Sequence, residues 1–140
     1  MNYFIFVRND IDNPYSKENF EKTKSEFWTS YNDSDEPRKH AEVYDSIQKG
    51  DLILCYSAKE KEICAILEAG AKNDEGITLE FKNALNISLE SIKAHYESIL
   101  ALSSEKYSPF SKDMSNIFFG TFFESNESQF FYICGLDFIN

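Results

Sequence analysis

The stretch Gly50 to Ala71, GDLILCYSAKEKEICAILEAGA, constrains the fold of this chain more than any other. Two apolar runs, Leu52-Ile53-Leu54-Cys55-Tyr56 and Ile63-Cys64-Ala65-Ile66-Leu67, flank the charged stretch Lys59 to Glu62. Short apolar runs rich in β-formers and joined by a polar link read as two strands of a hairpin. The first run ends in an aromatic and a hydroxyl, Tyr56-Ser57, where a strand would leave the core for its rim. Aromatic side chains at strand ends can line a pocket, so a binding module is the first functional expectation.

At 140 residues the chain fits one domain, 1–140, and its 42% hydrophobic content is enough for one core without disulfides or a metal. Thirteen Phe and eight Tyr against five Gly and three Pro point to packed layers. The formal charge of −10 opposes sequence-blind attraction to polyphosphate, so a nucleic-acid role needs a local basic rim. Arg8, Arg38, Lys39 and Lys59 are the candidates for phosphate contact, with Lys17, Lys22 and Lys24 further options. Carboxylates lie among nearly all of them, and a solvated surface is the plainer reading of each. Cys55, Cys64 and Cys134 are odd in number and lack CxxC spacing, which reads as buried thiols. His40 and His95 have no ligand-spaced companions, so neither a metal site nor a cofactor is expected. The opening MNYFIFVRND is too short to span a bilayer and lacks the features of a signal peptide. A reduced, cytoplasmic setting with no membrane partner follows.

Tyr3 to Val7 reads as a strand buried on both faces. A loop over 11–15 follows, and Ser16 caps a helix expected over Lys17 to Phe27, with Phe20 and Phe27 inward. Trp28 stands where that helix would give way to the polar loop Thr29 to Glu36; it is either a core plug or one wall of an aromatic cage. Asp35 and Pro37 open a second helix with Ala41, Tyr44 and Ile47 as its inner stripe. After the hairpin, Gly70 or Gly76 permits a reversal, and Ile77 to Phe81 alternates as a half-exposed strand. Ser88 caps a helix over Leu89 to Leu100 that leaves His95 facing outward. Ser103 to Ser115 reads as a connection, Ile117 to Phe123 as a strand bent at Gly120, and Gln129 to Cys134 as a closing helix in preference to a strand.

The chain carries no GxxxxGK[ST], no GxGxxG after a strand, no GxSxG and no HExxH, and its paired carboxylates sit in polar stretches. No enzymatic activity is expected. Aromatics gather instead at the ends of elements, at Trp28, Tyr31, Tyr56 and Phe118 to Phe123. Stacking on aromatic faces contributes on the order of 1–3 kcal/mol per base without a basic groove, and a flipped base is read through its polar edge.

The run Gly50-Asp51-Leu52-Ile53-Leu54-Cys55-Tyr56-Ser57, followed by Ile63-Cys64-Ala65-Ile66-Leu67-Glu68-Ala69-Gly70, resembles the EVE family of PUA-like domains. The aromatic strand at Tyr3 to Val7, Trp28 before a polar loop, and Gly120-Thr121-Phe122-Phe123 before an apparent helix are consistent with it. The resemblance implies an α+β fold, a curved, partly closed β-barrel flanked by helices and related to YTH and ASCH domains. It also implies a pocket for a modified, methylated base flipped from nucleic acid, DNA before RNA. Carried over by position, Trp28 and Tyr56 would be cage walls and Ser57 a polar contact, while Asn9 would match a polar pocket position of the YTH relatives. Such domains also serve as N-terminal specificity modules of methylation-dependent restriction systems, where further domains would be partners. An acidic protein-interaction or small-ligand module on the same fold is the alternative.

Overall fold

The structure is a computed structural model that describes residues 1–8, 25–29, 41–57, 60–73, 76–102 and 122–138; at 8, 25–29, 41, 42, 44, 122 and 138 it describes the backbone. Six strands form one mixed sheet in the order β2-β5-β4-β3-β1-β6. They are β1 (Tyr3–Arg8), β2 (Ser25–Thr29), β3 (Leu52–Ser57), β4 (Glu62–Lys72), β5 (Gly76–Ser88) and β6 (Phe122–Glu124). Among the described residues four helices accompany them: α1 (Ala41–Ser46), α2 (Leu89–Ala94), α3 (Tyr96–Ala101) and α4 (Glu127–Gly135), with a 3-10 turn over Leu136–Phe138. The α+β class is as expected.

Residue alternation along β1 and β3 sends side chains into two separate cores. Phe4, Phe6, Ile53 and Cys55 join Leu67, Ile77 and Leu79 on one face, packed with Val43 and Ile47 from α1 and the residues after it. Ile5, Val7, Leu54 and Tyr56 join Ile63, Leu85 and Ile87 on the other, covered by Ile92, Ile99, Phe130 and Ile133 from α2, α3 and α4. Burial on both faces is why these runs are continuously apolar. At the bulge in β4, Cys64 is inserted between the pairs Tyr56↔Ile63 and Cys55↔Ala65, so that Cys64 and Ala65 share one core.

Several expectations are corrected. The sheet does not close into a barrel: β2 and β6 end the strand order, and among the described residues they do not pair with each other. Register shifts along β4 and β5 bend the sheet, but closure requires its two end strands to bond. Ser25, Glu26 and Phe27 are not helical; they and Trp28 lie in β2, which pairs with the start of β5, consistent with the β-preference of Phe-Trp-Thr. Residues 17–24 of that expected helix, and residues 117–121 of the strand expected over Ile117 to Phe123, lie outside the described residues. Gly70 does not reverse the chain; it sits within β4, and the reversal comes at Asn73 to Gly76.

The helix expected over Leu89 to Leu100 is broken at His95. Ser88 caps α2 by accepting from the Ser91 amide. His95 then adopts φ −113° and ψ 17°, and its Nδ1 lies 2.9 Å from the Ser91 carbonyl, so Nδ1 carries the proton in that contact. His95 is half-buried with its ring in a T-shaped contact with Tyr132, centroids 6.2 Å apart, and does not face freely outward.

Candidate functional site

Strands β1 and β3 run parallel and end together, with Val7 opposite Tyr56 and Arg8 opposite Ser57. At this same end β4 begins, Glu62 lying opposite Ser57 and also opposite Ser88, the last residue of β5. Strand β6 also starts here, with Phe122 opposite Phe6. The topology therefore gathers Arg8, Tyr56 and Ser57 from two stretches of sequence 49 apart in the chain at one edge of the molecule. Asn9 follows directly on Arg8 and Lys59 stands two residues after Ser57 in sequence, but both lie outside the described residues.

The expected rim placement of Tyr56 and Ser57 is corrected by their burial: they are 2% and 0% exposed. Tyr56 packs in the core that holds Val7, Ile63 and Ile87, and its burial leaves no open stacking wall. Burial pushes its phenol up to about 12, leaving it a neutral donor at any physiological pH. Its hydroxyl has no hydrogen-bond partner among the described residues.

That sets Tyr56 apart from the other buried polar side chains. Asp51 accepts from the Asn2 amide at 3.0 Å and the Gln48 amide at 2.8 Å. Gln129 donates to the Ile99 carbonyl at 3.1 Å and accepts from the Ser125 hydroxyl at 2.6 Å. Ser57 accepts from the Glu60 amide at 3.2 Å, so its hydroxyl oxygen holds the β3–β4 turn. A buried hydroxyl left without a partner costs about 1–3 kcal/mol, and native proteins contain few of them.

The turn itself is held at both ends. The Lys61 amide donates to the Ser57 carbonyl at 2.8 Å, and the Lys61 carbonyl accepts from the Leu89 amide at 2.9 Å. Lys61 adopts φ 54°, the left-handed region that a side chain with a Cβ enters at a cost. Sequence reading passed over Lys61: the alternating charges Lys59-Glu60-Lys61-Glu62 marked a turn, but residue type alone did not show which position takes positive φ.

Trp28 is not brought to Tyr56 by the backbone. It pairs with Ile77 at the start of β5, whereas the row of Tyr56 runs through Ile63 to Ile87 near the other end. Ten residues of strand separate those rows, about 30 Å measured along β5. Arg38 and Lys39 lie outside the described residues. Among the described residues no three His, Cys, Asp or Glu side chains gather to hold a metal, and no helix is long and apolar enough to cross a membrane.

No protein-family model matches the sequence, and no protein of curated function matches it. Among solved structures, the chain is similar to the Mmi1 YTH domain. Its crystal structure in complex with RNA aligns with a TM-score of 0.49 at 14% identity, over 99% of this chain and 78% of that one. A second crystal structure of the domain aligns with a TM-score of 0.47 at 16% identity, over 97% and 94% of the two chains. A likeness of this degree assigns no residue a role.

Proposed function

We propose that this chain is a non-catalytic nucleic-acid-binding module that reads a modified, methylated base, in DNA before RNA. Its site is the end of the sheet where β1 and β3 finish. The observation that carries the reading is the Tyr56 hydroxyl, buried, neutral and without a partner among the described residues. Such a donor suits a ligand acceptor that enters from outside the fold, and the ring nitrogen or carbonyl on the polar edge of an unstacked base is one. In this reading Tyr56 contributes its hydroxyl tip to the base edge, and β1 ends beside it in register, Arg8 opposite Ser57. The sequence resemblance of Gly50 to Gly70 to EVE domains supports the same assignment and suggests a restriction-system specificity module whose other domains supply the nonspecific affinity.

The net charge of −10 favours a second reading, an acidic protein-interaction or small-ligand module without nucleic-acid affinity. Titration against methylated and unmodified DNA duplexes, and matched RNA strands, across a range of salt separates the two. The proposal expects saturable binding that weakens with salt and is tighter for a methylated strand. Absence of affinity at every salt concentration would overturn it in favour of the second reading.

A further inference from the structure

Lys61 is an unusual cation for this chain. Acidic residues outnumber Lys and Arg by 24 to 14, and two of the described lysines reach a carboxylate: Lys82 meets Glu68 at 3.9 Å and Lys93 meets Glu90 at 3.5 Å. Lys72 donates to the Asp45 and Ile47 carbonyls at the end of α1. Lys61 stands between Glu60 and Glu62 in sequence, is exposed, and among the described residues its ammonium has neither an ion pair nor a hydrogen bond. Its backbone is meanwhile fixed by the bonds to Ser57 and Leu89 in a left-handed conformation that Gly or Asn adopts more readily. These bonds fix the Lys61 backbone four residues beyond Ser57, at the sheet end where β3 passes into β4 and where Tyr56 pairs with Ile63, so that the side chain projects into solvent from a set point.

Resting on the proposed nucleic-acid reading, we infer that Lys61 is a phosphate-contacting residue, positioning the strand so that a base reaches Tyr56. The ammonium pairs with one backbone phosphate and releases one condensed counterion, which adds affinity without reading sequence or modification.

The test uses the whole chain and fluorescently labelled methylated and unmodified oligonucleotides, titrated at several salt concentrations. Lys61→Gly removes the ammonium and relieves the positive φ, and Lys61→Arg keeps the charge. Lys61→Gly is expected to bind roughly five- to eightfold more weakly at 0.1 M salt, the factor one released counterion supplies, equally for both oligonucleotides. The slope of log affinity against log salt becomes shallower by about one, and the melting temperature stays level or rises. Lys61→Arg retains wild-type affinity, as does Lys49→Gln, a substitution at another lysine without an ion pair among the described residues. If wild type binds and Lys61→Gly matches its affinity and slope, the role of Lys61 is overturned while the base-reading site stands. If wild type binds neither oligonucleotide at any salt, both fall together.

Discussion

Tyr56 and Gly70 show how differently two residues of one hairpin answer to chemistry. Gly70 is buried within β4, and a Cβ there would meet the Thr78 carbonyl oxygen at 3.2 Å and the Thr78 Cβ at 3.3 Å. Since the carbonyl belongs to the neighbouring strand of the sheet, it has little room to yield. Gly70→Ala is expected to cost about 1–3 kcal/mol, read as a lowered urea midpoint at unchanged m-value. A midpoint equal to wild type would show that β5 gives way. Tyr56 carries the opposite expectation, because Tyr56→Phe deletes only a hydroxyl without a partner and leaves the packed ring. Its pH signature has a definite sign. The phenol titrates about 12 in the folded chain against 10.0 for the free side chain, so the folded state holds the proton more tightly. That contribution is intact below pH 10 and is lost as the pH rises through 12. Comparing wild type with Tyr56→Phe, stability measured by urea melts should fall more steeply for wild type between those limits; parallel profiles would contradict the burial of the phenol.

At the scale of elements, what was legible in the sequence followed from periodicity and capping. The strands at Tyr3, Leu52, Ile63 and Ile77 and the helices near Ala41 and Gln129 all appear, because apolar spacing, and at Gln129 the spacing of Phe130, Ile133 and Cys134 before Gly135, favours the element that forms. Those that failed depended on strand pairing or on a side-chain contact that an apolar pattern does not show. The strand at Ser25–Thr29 forms against β5, a contact no local window contains, and the long helix breaks at His95 where a side chain competes for the Ser91 carbonyl. Asn126 is a comparable long-range device at the start of α4. Its side-chain Oδ1 accepts from the Gln129 amide at 2.9 Å while its side-chain Nδ2 donates to the Leu102 carbonyl at 2.7 Å, tying the cap of α4 to the end of α3. Asn126→Ala is expected to cost about 1–2 kcal/mol in chemical denaturation, and Asn126→Asp less, because it keeps the cap acceptor. Equal losses for the two would shift the weight to the Leu102 contact.

For the whole molecule, two long strands carry a mixed, open sheet with a core on each face, and the termini of β1 and β3 meet at one end of it. The Gly50-Asp51 step that begins the hairpin proves architectural: Gly50 takes φ +94° and donates to the Ala69 carbonyl at 2.8 Å, and Asp51 ties the chain to Asn2. The candidate site was legible only in part. Tyr56 stood out as an aromatic at a strand end, but its burial, the turn-holding role of Ser57 and the distance to Trp28 depend on sheet register, which residue type does not encode. Acidity overall and an ammonium unpaired among the described residues are compatible because counterion release is local to the contact, whereas the net charge acts over the whole surface. The most direct test of the site is the affinity of Tyr56→Phe for the methylated oligonucleotide beside that of wild type. Loss of one ligand hydrogen bond predicts binding about five- to tenfold weaker in a protein at least as stable as wild type. Equal affinities would show that the buried hydroxyl does not meet the base.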